Sequence, residues 1–112
     1  SLKHQEWLVK NFNNVEAETI NLDKLFETFE NTLSKFDSEL GLANTRARLR
    51  MTTLYQAAAA NKGIVVGTGN KVEDFGVGFY TKYGDGGVDI SPIADCNKTL
   101  VWKIGKYLKI PI

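Results

Sequence analysis

The run Ile64-Val65-Val66-Gly67-Thr68 constrains this 112-residue chain more than any other stretch. Short, continuous and β-branched, it has the pattern of a strand buried on both faces of a parallel sheet. It follows Ala57-Ala58-Ala59-Ala60, all strong helix formers, with Gly63 supplying a stop between the two. A helix leading into a doubly buried strand predicts an α/β layered sheet. Ligands in such sheets sit beyond the carboxyl ends of the strands, which here means Thr68 and the loop after it.

The remaining elements fit around that unit. Residues 2–12 predict a short helix with Trp7, Leu8 and Phe12 on one side. Asn13-Asn14 breaks it, and residues 15–22 alternate like a half-exposed strand. Asp23 is the expected N-cap of a second helix. There Leu22, Leu25, Phe26, Phe29, Leu33 and Phe36 recur at three- and four-residue steps, and are expected in the core. A third helix is predicted over 42–61 and a last one over 98–109, with Val101, Ile104 and Leu108 inward and Pro111 closing it. Residues 69–97 are glycine-rich and lack helical periodicity, so they predict a long loop. Phe75, Phe79, Tyr80 and Tyr83 within it argue for order.

Composition excludes several classes. The 43% hydrophobic and 24% charged content is that of a globular domain, and no apolar run approaches the roughly 18 residues of a membrane span. A net charge of +1 offers no nucleic-acid-coating surface. The single cysteine, Cys96, allows no disulfide within the chain and no cysteine metal cluster, and suits a cytoplasmic setting.

Several apparent motifs fail on spacing. Gly67-Thr68-Gly69-Asn70-Lys71 lacks the Gly-Lys-Ser/Thr ending of a Walker loop, and Gly76-Val77-Gly78 lacks the third glycine of a dinucleotide fingerprint. Both read as turn and close-approach glycines. Asp85 and Asp89 do not have EF-hand spacing. His4 reads as a solvated side chain near the terminus. Arg46 and Arg50 share a face of the third helix, while Arg48 points nearly the opposite way. Three such arginines can be a solvated surface; one sharing a face with Thr52 and Tyr55 can instead hold a phosphate or carboxylate.

One block carries more. Phe79-Tyr80-Thr81-Lys82-Tyr83-Gly84-Asp85-Gly86-Gly87-Val88-Asp89-Ile90-Ser91-Pro92-Ile93-Ala94-Asp95 is followed by Lys98-Thr99 and preceded by Val65-Val66-Gly67-Thr68. With Asn44-Thr45-Arg46-Ala47-Arg48-Leu49-Arg50-Met51, it closely resembles the NAD⁺ synthetase family, in block order and in nearly all the spacing. Lys82-Tyr83-Gly84-Asp85-Gly86 is similar to the ammonia-using bacterial branch.

The resemblance implies part of a Rossmann-like parallel sheet flanked by helices, with residues 1–112 as one partial domain of a homodimeric ligase. It implies ATP-dependent amidation of deamido-NAD⁺ by ammonia through an adenylated carboxylate, with Mg²⁺. Matched motif by motif, Thr68 and Lys98 would contact ATP, Glu73 would bind magnesium, and Arg48, Lys82 and Asp89 would hold deamido-NAD⁺. A carboxylate is a hard oxygen ligand suited to Mg²⁺, and a lysine opening a helix adds charge where phosphate is favoured. No residue is needed as a covalent nucleophile. The family's Ser-Gly-Gly-x-Asp-Ser ATP loop and its C-terminal closing segment have no counterpart in these residues. The chain by itself is therefore expected to be an inactive internal piece. The separation of Glu73 from Lys82 is one residue longer than in the commonest bacterial pattern. Two other readings stand beside this one: a non-catalytic fragment that binds nucleotide or dimerises, and another amidating synthetase of the ATP pyrophosphatase type.

Overall fold

The computed structural model describes residues 2–73 and 80–111. Phe75, Gly76-Val77-Gly78 and Phe79, and with them the lengthened stretch between Glu73 and Lys82, lie mostly outside the described residues. The described chain forms four α-helices: α1 (Leu2–Asn11), α2 (Asp23–Thr32), α3 (Glu39–Ala60) and α4 (Lys98–Tyr107), with a short 3₁₀ turn at Ser34–Phe36.

Each helix boundary has a local cause. Ser38 caps α3, its hydroxyl accepting the Gly41 N–H at 3.1 Å, so the helix starts three residues before the expected Leu42. Asn97 caps α4 in the same way through Leu100 N–H at 2.8 Å. Asp23 does not cap α2. Leu22 occupies that position, and Asn21 Oδ1 accepts the Asp23 N–H at 2.8 Å instead. Two helices end in the same tight turn. After α3, Lys62 adopts φ 55° and Gly63 N–H reaches back to Ala58 O at 2.8 Å. After α4, Lys109 adopts φ 57° and Ile110 N–H bonds Gly105 O at 3.0 Å. His4, expected to be solvated, instead has Nε2 2.7 Å from Pro111 O, tying α1 to the far end of the chain.

The expected strands are where the structure differs. Residues 15–22 form no ladder, and residues 64–68 contribute one isolated parallel bridge, Val66 to Ile90. A strand exists only by pairing, and an alternating or β-branched pattern supplies no partner by itself. What pairing there is involves the loop: Gly67 N–H bonds Ile90 O at 2.7 Å and Asp89 N–H bonds Val65 O at 3.0 Å.

The core is thin. Among the described residues Met51 and Val65 are the buried hydrophobics. Of the six α2 residues expected inside, Leu22, Phe26 and Phe29 are half-buried, whereas Leu25, Leu33 and Phe36 are exposed. On α4, Val101 is half-buried while Ile104 and Leu108 are exposed. Periodicity identifies an apolar face correctly but cannot say what covers it. The radius of gyration, 16.2 Å, exceeds the roughly 13 Å of a close-packed chain this long. No helix among the described residues is long and apolar enough to cross a membrane.

Candidate functional site

α3 organises the site. At 100° per residue, Asn44, Arg48, Met51 and Tyr55 fall on one stripe of that helix. Met51 is buried there, and the three polar residues reach the 80–91 loop. Thr81 Oγ1 lies 3.1 Å from Asn44 Oδ1, and Arg48 Nε donates to Lys82 O at 2.9 Å. Tyr55 donates to Gly87 O at 2.6 Å, with Asp89 Oδ1 at 3.3 Å. Arg46, on the opposite side, sits over the Phe26 ring at 4.3 Å and joins α3 to α2. The helical-wheel separation of Arg48 from Arg46 thus assigns them different neighbours.

The loop comes close to the helix. A Cβ at Gly84 would stand 3.0 Å from Ala47 Cβ, so only glycine passes there without a shift. Beside it Tyr83 adopts φ 64°, a left-handed conformation unusual for an aromatic residue. Lys82 Nζ lies 5.0 Å from the Tyr83 ring centroid, and its side chain is exposed.

Asp89 is pinned. Its Oδ2 accepts the Val65 N–H at 2.7 Å while Tyr55 stands at Oδ1. The tyrosine hydroxyl has its pKa raised, by desolvation first and then by the Asp89 charge and hydrogen bond.

A second cluster forms around Glu73 and Lys98. Asn70, 4% exposed, accepts the Val72 and Glu73 N–H groups through Oδ1, at 3.0 and 3.1 Å, and so opens the helical turn that carries Glu73. Lys71 N–H bonds Cys96 O at 2.9 Å, bringing that turn beside the start of α4. There Lys98 Nζ meets Glu73 Oε1 at 3.2 Å. The Glu73 carboxyl is held below its ordinary range, first by the Lys98 hydrogen bond and then by a backbone hydrogen bond at Asn70.

Thr68 is exposed at the end of the 64–68 segment, five residues before Glu73. Its side chain makes no hydrogen bond among the described residues. The structure therefore brings Arg48 to Lys82, places Asp89 with Val65 and Tyr55, and pairs Glu73 with Lys98. Four residues position the site in roles that the sequence did not reveal: Asn44, Tyr55, Asn70 and Asn97. Asn97 was the most legible, as an Asn directly before a helix. The partners of Tyr55 lie 32 and 34 residues away, beyond any local signal.

Two open clefts border these groups. One, of about 400 Å³, lies between α2 and α3 and is lined by Phe29, Ser34, Phe36, Asp37, Thr45 and Arg48 among others. The other, of about 260 Å³, lies between Gly69 and the loop residues Tyr80, Asp85, Val88 and Ser91.

The sequence profile of the NAD synthase family matches residues 1–112. An NH₃-dependent NAD⁺ synthetase of Carboxydothermus hydrogenoformans is 42% identical over 108 residues, 93% of this chain and 44% of that protein. One of Alkaliphilus metalliredigens is 50% identical over 99 residues, 88% of this chain and 38% of its own length. Among solved structures, NMN synthetase from Francisella tularensis overlays with a TM-score of 0.88 at 35% identity, covering 98% of this chain and 45% of that one. The NH₃-dependent NAD synthetase from Campylobacter jejuni overlays at 0.78 with 32% identity, covering 87% and 42%. By fold, the chain falls in with these synthetases. It belongs to the NAD synthase family, and it spans less than half the length of the relatives it matches.

Proposed function

We propose that these residues form part of a ligase that makes NAD⁺ by amidating deamido-NAD⁺ with ammonia at the expense of ATP. The single observation that supports the reading is that α3 holds the 80–91 loop carrying Lys82 and Asp89, through Arg48 at Lys82 O and Tyr55 beside Asp89, while Lys98 pairs with Glu73. In this reading the first group holds the deamido-nucleotide and the second, with Thr68, meets ATP.

The nicotinate carboxylate attacks the α-phosphorus of ATP, and pyrophosphate leaves. Ammonia then attacks the acyl carbon, and AMP leaves with the bridging oxygen. Charge builds on the departing pyrophosphate, where Lys98, at the N-terminus of α4, supplies a cation together with helix N–H groups. Arg48 and Lys82 orient the substrate by its anionic groups, so that the carboxylate is presented rather than found by diffusion. Glu73 suits a magnesium ion. It is an exposed hard-oxygen carboxylate, and Mg²⁺ commonly takes one or two carboxylates plus phosphate oxygens; the Lys98 ammonium now on it would have to turn to phosphate first. The ion, when bound, would neutralise phosphate charge.

The parallel sheet of a Rossmann-like fold, a homodimer and a cytoplasmic location belong to the same reading. They rest on family membership. The exposed apolar faces of α2 and α4 suit burial against further protein.

A second substrate has its own support. The Francisella tularensis structure is that of an NMN synthetase, and it covers 98% of this chain. Nicotinate mononucleotide would present the same carboxylate without the adenylate half. Comparing kcat/KM for the two substrates in the full-length protein decides between them. A preference for deamido-NAD⁺ supports the first reading, a preference for nicotinate mononucleotide replaces it with the second, and turnover of neither contradicts both.

A further inference from the structure

Asp89 is held by Val65 and flanked by Tyr55 before any ligand arrives. Val65 N–H holds Oδ2 at 2.7 Å, Tyr55 stands 3.3 Å from Oδ1, and the Asp89 N–H is committed to Val65 O at 3.0 Å. The carboxylate therefore cannot swing to follow a substrate, and what it meets is fixed by where it is held. An ionised carboxylate has about four acceptor sites, and Val65 N–H takes one, so most remain for hydroxyl or amide groups of a ligand.

Tyr55 is the part of this arrangement that links it to α3. Its hydroxyl has one proton, and the shorter contact, 2.6 Å to Gly87 O, receives it. The phenol thus ties the backbone two residues before Asp89 to the same helical stripe from which Arg48 holds Lys82 and Asn44 meets Thr81. Three points along one helix hold the 80–91 loop, and Tyr55 is the one nearest Asp89, on the side away from the Val65 bonds. Nearby, Gly86 passes so close to Tyr80 that a Cβ there would lie 2.5 Å from the ring, so the segment has little room to relax into a different path.

We propose that Tyr55 is a positioning residue for the nicotinate nucleotide, setting Asp89 and the Gly87 backbone through its hydroxyl without contacting the reacting atoms. This rests on the amidation reading, and its test separates the two. In the full-length protein, Tyr55→Phe keeps the ring and removes the hydroxyl. The expected result is a rise in KM for the nicotinate nucleotide of about tenfold, as for loss of one hydrogen bond that organises a charged group. KM for ATP and kcat should stay within about twofold. Hydrogen exchange should quicken across residues 80–91. On an Asp89→Asn background the same substitution should add little, because the pair acts as a unit. Faster exchange with an unchanged nucleotide KM overturns the proposal, as does an equal effect on both substrates or full additivity with Asp89→Asn. If the unsubstituted protein amidates nothing, the functional reading has failed, while the exchange result still reports whether Tyr55 holds the loop.

Discussion

Glu73 and Lys98 close a 3.2 Å ion pair between the turn that follows Thr68 and the first residue of α4. Both side chains are substantially exposed, 42% and 59%, so water screens the pair and it adds little to stability. Its weakness is compatible with the proposed chemistry. A lysine needed by phosphate and a carboxylate needed by a metal can neutralise one another at rest and part at little cost.

Replacing Glu73 by Gln in the full-length protein keeps size and removes the charge a hard cation requires. Activity should fall, and added Mg²⁺ should restore part of it. Kinetics unchanged across a magnesium titration would place Glu73 outside the metal's reach. The pair should also respond to acid. Because the folded carboxyl titrates below its ordinary value of 4.5, its stabilisation is present above that value and fades as pH falls through the lower one.

Tyr55 gives a pH signature of the opposite sign. Its neutral form is favoured in the fold, so the loop contact is intact below the ordinary value of 10.0 and is lost as pH climbs through the raised one. Asp89→Asn removes the neighbouring charge. An ultraviolet difference titration should then find one tyrosine ionising at lower pH than before. No change in any tyrosine would separate Tyr55 from Asp89 in solution.

Gly67 tests the close packing beneath the loop. A Cβ at this position would lie 2.5 Å from Val88 Cγ2 and 3.1 Å from Val88 Cβ. Gly67→Ala in the full-length protein should cost about 1–3 kcal/mol by overpacking. Tm should fall by roughly 2–4 °C for each kcal/mol in a protein of around twice this length. Adding Val88→Ala should recover part of the loss. A Tm equal to that of the unsubstituted protein would mean that the segment and the loop do not meet as described.

The helices were legible because their causes are local. Ala57–Ala60, the α2 periodicity and the closing Pro111 all act within a few residues. Two hydrogen bonds at helix starts went unread for a simple reason. Ser38, which caps α3, and Asn21, which accepts the Asp23 N–H before α2, lie outside the apolar pattern that drew attention to Leu42 and Asp23. The strands failed differently. The Ile64-Val65-Val66 run states a preference for burial and extension, but a ladder needs a second strand, and among the described residues the pairing is a single bridge to Ile90. The candidate site was readable as residue types in a familiar order. Its geometry was not, because Arg48 finds Lys82 and Tyr55 finds Gly87 across more than thirty residues of sequence.

The exposed faces lead to an expectation for residues 1–112 prepared alone. With Met51 and Val65 as the buried hydrophobics among the described residues, the core supplies little, while Phe36, Leu40 and Trp102 are among the large side chains left exposed. Such a chain should associate through these surfaces or unfold, and should form no NAD⁺. Sedimentation of a stable, cooperative monomer would contradict this.

The most direct test of the central claim follows oxygen. Deamido-NAD⁺ labelled with ¹⁸O in its nicotinate carboxylate is incubated with ATP, Mg²⁺, ammonia and the full-length protein, and the products are weighed by mass spectrometry. Adenylation of the carboxylate predicts that each NAD⁺ formed is matched by one AMP carrying one ¹⁸O. Unlabelled AMP, or ADP and phosphate in its place, would contradict the account.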